Sequence, residues 1–277
     1  MNGSISQAHI SHRRSSRRPS TLGAVAILIA ATLFAAIVTG CGKKSTMGTS
    51  PTPGSPATSP ATVASGSPSP EAQQILQDSS KATKALRSVH VAVTVTNLSN
   101  LPFESVDADV TNQPQGNGQA VGNAKVRMKP DTPAVATEFL VTNKTMYTKE
   151  GGSYVSVGPA VKIYDPGIIL DKDRGLGAVV AQVQNPTIQG RETVNGLATV
   201  KVSGAIDASV IDPVVPQLGK GGGTLPITLW IVDVKDSAPT PPPAANLVRM
   251  VINKDQGDVD IALSNWGAPV TIPNPAG

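Results

Sequence analysis

From Val89 onward the chain keeps returning to a period of two. Val89, Val91, Val93 and Val95 alternate with Ser88, His90, Ala92 and Thr94. The same rhythm recurs in Val106-Ala108-Val110, Ala120-Gly122-Ala124-Val126-Met128 and Val135-Thr137-Phe139-Val141. It returns at Val155-Val157, Val200-Val202, Ile227-Leu229-Ile231, Val248-Met250-Ile252 and Ile261-Leu263. Successive side chains of a strand point to opposite faces, so each of these segments makes a strand with one apolar side. Turn formers separate them: Gln113-Pro114-Gln115-Gly116-Asn117-Gly118, Asn143-Lys144, Glu150-Gly151-Gly152, Asn195-Gly196 and Asp255-Gln256-Gly257. Short strands joined by tight turns build an antiparallel meander, because parallel neighbours need long crossovers.

One face of such a sheet needs cover, and the chain supplies it in three places. Ser69-Pro70-Glu71 reads as an N-cap, a proline at the first helical position and an acid in the first turn. Ala72, Ile75, Leu76, Ser79, Ala82, Thr83 and Leu86 then share one face at helical spacing. Asp165-Pro166 is a second cap, and Ile168, Ile169, Leu170, Leu176, Val179, Val180 and Val183 after it are too apolar for a surface helix. Gly175 and Gly177 weaken that run, which predicts two short helices broken near Asp173. Residues 208–218, with Pro213 and Pro216, predict one more. The fold class is then α+β: one long, twisted antiparallel sheet with helices gathered on one face. Such a sheet curls. Helices across its hollow either fill it as an ordinary packed core or leave a gap, and periodicity alone favours the packed core.

Ahead of this domain the sequence reads as an address. The first 40 residues carry Arg13, Arg14, Arg17 and Arg18 and no acidic residue. An apolar run of 17 residues at 22–38 follows, then Val38-Thr39-Gly40-Cys41. A basic region, an apolar region and a small-residue cleavage site make a secretory signal. Placing the sole cysteine there makes it a bacterial lipoprotein signal: lipid attaches to the Cys41 sulfur as a thioether, and cleavage after Gly40 frees an amine for further acylation. An uncleaved membrane anchor is the plainer alternative, since such a run just reaches across a bilayer, but the position of Cys41 favours the lipoprotein. Residues 1–40 are therefore expected to be signal, 41–70 the lipidated cysteine with its tether, and 71–277 the folded domain. The expected location is the cell membrane, lipid-anchored on the outer, periplasm-like face of the envelope.

Removing the four signal arginines from 23 basic residues leaves 19 against 19 acidic ones. The positive balance thus belongs to the signal, and no basic field remains for nucleic acid. With Cys41 acylated there is no thiol for a disulfide, so the domain must hold itself together with a core. Residues 43–70 are Ser, Thr, Pro, Gly and Ala with little to bury, a flexible tether of roughly 30 Å mean reach and roughly 90 Å when extended. Ser and Thr beside Pro there invite O-glycosylation.

Catalytic chemistry is mostly excluded. His90 is the one histidine outside the signal, alone on the face opposite the valines, and reads as an exposed strand residue. No Gly-x-Ser-x-Gly elbow supplies a nucleophile. One histidine and no free thiol leave no zinc site. Asp171-Lys172-Asp173-Arg174-Gly175 departs from a calcium loop, with its glycine one place early and no closing glutamate. Gly219-Lys220-Gly221-Gly222-Gly223 lacks the Ser/Thr and the following helix of a phosphate cradle, and reads as a loop. Asp107 and Asp109, or Asp258 and Asp260, are period-two residues of the solvent face. No enzyme and no cofactor are expected. Few aromatics lie in the domain, too scattered for sugar or base stacking. The interior is Val, Ile, Leu, Ala and Gly, a smooth aliphatic wall suited to acyl chains. Gly122 and Ala124 leave room beside Val126 and Met128.

From residue 72 to its end the chain resembles the mycobacterial LppX/LprAFG lipoproteins. The likeness is carried by Ser88-Val89-His90, Ile163-Tyr164-Asp165-Pro166, Gly175-Leu176 and Gly190-Arg191-Glu192 leading to Asn195-Gly196. Val202-Ser203-Gly204, Trp230-Ile231 and Leu263-Ser264-Asn265-Trp266-Gly267 complete it, in order and spacing. The resemblance implies a half-barrel sheet like that of periplasmic lipoprotein carriers, with helices over the concave face and a large hydrophobic cavity. It implies a cargo of multi-acylated lipids and glycolipids, moved across the cell envelope by a monomer. Placed on this sequence, the cavity would be lined by Val91, Val93, Val95, Ala124, Val126, Met128, Phe139, Val141 and Leu229 of the strands. Ile169, Leu176, Val179, Val180 and Val183 would line it from the helical side. The Pro-rich insert at 238–245 departs from the family and is expected only to lengthen a hairpin.

A carrier of this kind is physically reasonable. Exposing a sixteen-carbon chain to water costs on the order of 12 kcal/mol, at about 0.8 kcal/mol per methylene. An apolar cavity that replaces the bilayer's contacts makes the transfer nearly neutral. An adaptor for a membrane sensor or transporter, with lipid as filler or signal, and a structural envelope protein with a plain core are the other readings.

Overall fold

The computed structural model describes residues 69–114, 118–129, 132–235 and 244–276. Cys41, the signal, the tether and most of the Pro-rich insert lie outside them.

Eleven strands form one sheet. They are β1 (Ser88–Thr96), β2 (Phe103–Thr111), β3 (Gln119–Val126), β4 (Val135–Thr142), β5 (Thr145–Glu150), β6 (Ser153–Pro159), β7 (Gln184–Val194), β8 (Leu197–Asp207), β9 (Thr224–Val232), β10 (Leu247–Lys254) and β11 (Gly257–Ser264). The order is β6-β5-β4-β3-β2-β1-β11-β10-β9-β8-β7, and every neighbouring pair is antiparallel. Two meanders are thus zipped along one seam, where β1 meets β11. The turns are the ones the sequence marks: Asn143, Lys144, Asn195 and Asp255 sit at positive φ.

The register places all the alternating apolar residues on one face. Val91 pairs with Ala108 on β2 and Leu263 on β11, and Val93 with Val106 and Ile261. The row continues through Ala124 and Thr137 on one side, and through Met250, Leu229 and Val202 on the other. Register shifts in β2, β5, β7 and β10 break the pairing locally, and such bulges increase twist and bend a sheet. The apolar face is the concave one, because the helices lie on it.

Three helices and two 3₁₀ turns supply the cover: α1 (Pro70–Ala85), turns Ala160–Lys162 and Pro166–Leu170, α2 (Leu176–Ala181) and α3 (Ala208–Ile211). Ser69 caps α1 by accepting from the Ala72 amide, and Asp165 caps its turn by accepting from the Gly167 amide at 2.9 Å. The run expected to make two helices is broken where expected. Asp171 accepts from the amides of Asp173 and Arg174 at 2.9 and 2.8 Å, which ends the turn and starts the approach to α2. Gly177 has a role beyond weakening a helix. A Cβ there would sit 2.6 Å from the Lys84 side chain, so glycine is what lets α1 and α2 pack closely. Ser80 donates to the Gly177 carbonyl at 2.7 Å across that contact.

Candidate functional site

The helix α1 covers only part of the hollow, and its length explains which part. Its start is tied to β7 by the Ser69 amide donating to the Pro186 carbonyl at 3.1 Å, and its end leads straight into β1. Sixteen residues span about 24 Å at 1.5 Å each. The steps from β7 to β1 through β8, β9, β10 and β11 span about the same, at roughly 4.8 Å between strands. The α1–α2 pair therefore roofs this half, and α3 closes it against β8. On the other half the Pro166–Leu170 turn lies over the sheet, against β2 and β3. It comes so near that a Cβ on Gly118 would meet the Gly167 backbone.

The fourteen residues expected to line the cavity fall into buried and half-open groups that this boundary only partly explains. Val91, Ile169, Leu176, Val179, Val180, Val183 and Leu229 join one continuous buried cluster with Val200, Val202, Ile227, Met250 and Ile261. Val179, Val180 and Leu229 are 0% exposed. A side chain that a water-sized sphere cannot touch borders no void, so this half of the hollow is filled in this conformation. Val141, also fully buried, packs beside its partner Ala120. Val93, Val95 and Phe139 lean against the cluster half-buried, as does Phe103. Ala124 and Val126 lie further along the same face, with Val135 57% exposed at the end of the Val126 row. Met128 falls past the end of β3 and is exposed, and Val155 on β6, level with Phe139 through Thr148, is exposed too. The concave face thus runs from a sealed aliphatic core into an open aliphatic trough.

Sequence reasoning left Phe103, Val106, Val135 and Val155 out of the lining. Val106, Val135 and Val155 follow the period-two spacing of the sequence, whereas Phe103 reaches the same face through the bulge before Ser105. Ser79 and Thr83, on the face of α1 that meets the core, were seen as part of an apolar stripe and not as candidates. Both are buried, and neither hydroxyl has a hydrogen-bond partner.

Polar groups fasten the cover. Glu71, in the first turn of α1, bonds Lys235 at 2.9 Å and lies 3.5 Å from Arg191, whose guanidinium is 2.6 Å from the buried Asp233. The hydrogen bond and charge of Lys235 hold the Glu71 carboxyl below its ordinary range, with Arg191 adding to them. Tyr164 donates to the Val214 carbonyl at 2.9 Å, joining the segment after β6 to the one after α3. Burial pushes the Tyr164 phenol well above its ordinary range, with the Asp165 charge adding to it.

His90 is not alone on the convex face. Its Nδ1 lies 2.9 Å from Asp109, its register partner, and its Nε2 lies 3.5 Å from Asp107, leaving it half-buried. The reason is pairing: the β1–β2 hairpin brings both carboxylates across from the ring. Two shallow clefts of about 280 and 260 Å³ flank this cluster, along Asp107, Asn123 and Glu138. Both fall below the roughly 300 Å³ at which ligand pockets begin. Among the described residues no group of three or more His, Cys, Asp and Glu side chains is disposed to hold a metal ion.

Residues 71–272 match the LppX_LprAFG lipoprotein model, and the chain belongs to that family. It is 80% identical, over the full length of both chains, to LprF of Mycobacterium bovis, provisionally named a diacylated glycolipid transporter. The crystal structure of that LprF covers 76% of this chain and 100% of its own, with a TM-score of 0.75 and 87% identity. The lipoarabinomannan carrier protein LprG of Mycobacterium bovis is 28% identical over 91% of this chain and 94% of its own. The crystal structure of LppX from Mycobacterium tuberculosis covers 74% of this chain and 99% of its own, with a TM-score of 0.54 and 26% identity.

Proposed function

We propose that the domain at 71–277 carries an acylated glycolipid in the hollow of its sheet. Its chains lie along the concave strands and beneath the α1–α2 roof. Cys41 anchors the protein by lipid to the outer face of the membrane, and residues 41–70 tether the domain there. The observation that carries this reading is the open trough: half-buried Val93, Val95, Val126 and Phe139 continue the wall of a sealed aliphatic core. A trough continuous with a core lets a chain slide in by displacing one set of apolar contacts with another, at little net cost. The names of LprF and LprG point to the same class of cargo. Filling the sealed half requires the roof to lift, and α1 is fitted for this, since its core-facing stripe is small and partly hydroxylic.

The domain from Ser69 holds all the described strands and the buried cluster they form, and the crystallised LprF chain corresponds to about this much of the sequence. Expressed in a mycobacterium without its anchor, it is expected to co-purify with acylated glycolipid near one molecule per chain by mass spectrometry. Lipid-free protein from that host would overturn the carrier.

A further inference from the structure

The α1 helix turns two idle hydroxyls toward the core. Ser79 and Thr83 continue the stripe of Ala72 and Leu76, which belong to the buried cluster. They are 0% and 3% exposed, and their oxygens are the buried side-chain atoms without a hydrogen-bond partner among the described residues. Ser80, equally buried, shows the contrast: its hydroxyl is used at the contact with α2. Ser79 and Thr83 serve no such contact. Helical serine and threonine often satisfy themselves on the carbonyl four residues back, and here they do not. Alanine and valine would occupy the same space with no unmet oxygen. Two polar atoms held dry above an aliphatic hollow suit a ligand that is mostly hydrocarbon but carries a few oxygens.

The carrier reading supplies such a ligand, and this inference rests on it. We propose that Ser79 and Thr83 donate hydrogen bonds to the ester carbonyls at the polar neck of a bound diacyl lipid. One helical turn sets the two residues roughly 5–6 Å apart at Cβ, a spacing that two esters on neighbouring carbons can match. The strands then hold the chains while α1 reads the neck. The site selects ester-linked lipids over chains joined by ethers, whose oxygens are poor acceptors, and over free hydrocarbon. Cargo satisfies both hydroxyls at once, so the loaded state gains what the empty state lacks.

The test uses the domain from Ser69, wild type and Ser79→Ala/Thr83→Val. The probes are a dipalmitoylglycerol glucoside with ester-linked chains and its dialkyl ether counterpart. Dissociation constants come from native mass spectrometry. The expected result is about tenfold weaker binding of the ester by the variant, two modest hydrogen bonds' worth. The ether should bind both proteins alike, and the ligand-free variant should melt no lower than wild type. Equal ester affinity in both proteins overturns the assignment, and so does an equal loss for ester and ether, which would mark a change in packing. If wild type takes up both probes and the variant matches it, only this assignment falls. If wild type takes up neither, the carrier reading falls and takes this assignment with it.

Discussion

The two halves of the sheet are written in the same alternating code and yet end up in different states. From β7 through β11 to β1 the concave residues lie under α1 and α2, and Val202, Leu229 and Met250 are inaccessible. From β2 to β6 the same face is buried at one end, at Val110, Ala120 and Val141, and half open towards the other, at Val106, Val126 and Phe139. The difference is one of cover and not of strand chemistry. A packed frame beside a half-open aliphatic stretch lets the fold be held by one part of the face while the other keeps apolar surface accessible.

The largest effect separates frame from trough directly. Leu229→Ala in the sealed half should destabilise the domain by about 2–5 kcal/mol, the range for a leucine truncated in a packed core. Phe139→Ala, from a half-buried site, should lose well under that despite the larger side chain. Chemical denaturation of the two variants checks the order, and equal losses would erase the distinction between the halves.

Overpacking gives the next contrast. Val202→Trp should cost more than the ~1–3 kcal/mol of an ordinary overpacked core. Ala124→Trp, buried but flanked by half-buried Val106 and Thr137, should cost less than Val202→Trp and lose co-purifying lipid. A well-folded Ala124→Trp protein with unchanged lipid would place the cargo elsewhere.

Much of the frame was legible before any coordinates. Valine alternation marks strands, and Ser69 and Asp165 mark helix starts, because these signals act between residues near in sequence. The strands β5 and β7 were not named from pattern. They lie at or next to the sheet's edges, where Thr148, Gln184 and Gln189 face less core and alternation fades. Met128 kept the rhythm of β3 but not its pairing, since the strand stops at Val126. His90 looked isolated because its partners arrive through the hairpin. Which half of the hollow would be sealed was not legible at all. That depends on matching the length of α1 to a distance across strands far apart in the chain. The cavity was expected from family likeness, and no residue pattern distinguishes it from a packed core.

Smaller effects sharpen the picture of the roof. Tyr164→Phe removes one hydrogen bond to the Val214 carbonyl and should cost about 1 kcal/mol. If thermal unfolding shows no loss, the strap across the cover is decorative.

The smallest effect is a pH slope. Glu71 sits below its ordinary value of 4.5 in the folded protein, so its ion pair contributes stability above that pH and loses it as pH falls through the lowered folded value. Glu71→Gln should therefore melt slightly lower than wild type at pH 7, with the difference vanishing as pH falls below about 4.5. A variant with the same acid slope as wild type would assign that slope to other carboxylates.

The seam between β1 and β11 sets a timetable. A chain is made from its N-terminus, and β1 to β6 are delivered long before β11. Until the last hairpin arrives, β1 has a bare edge and Val91 and Val93 lack Leu263 and Ile261 beside them. Pairing between the ends of a sequence is slow to find, because the intervening loop must close first. The domain therefore cannot lock prematurely while the rest of it is still in transit. A nascent chain stalled before Gly257 should remain sensitive to protease, and the release of eight final strand residues should switch it to resistance.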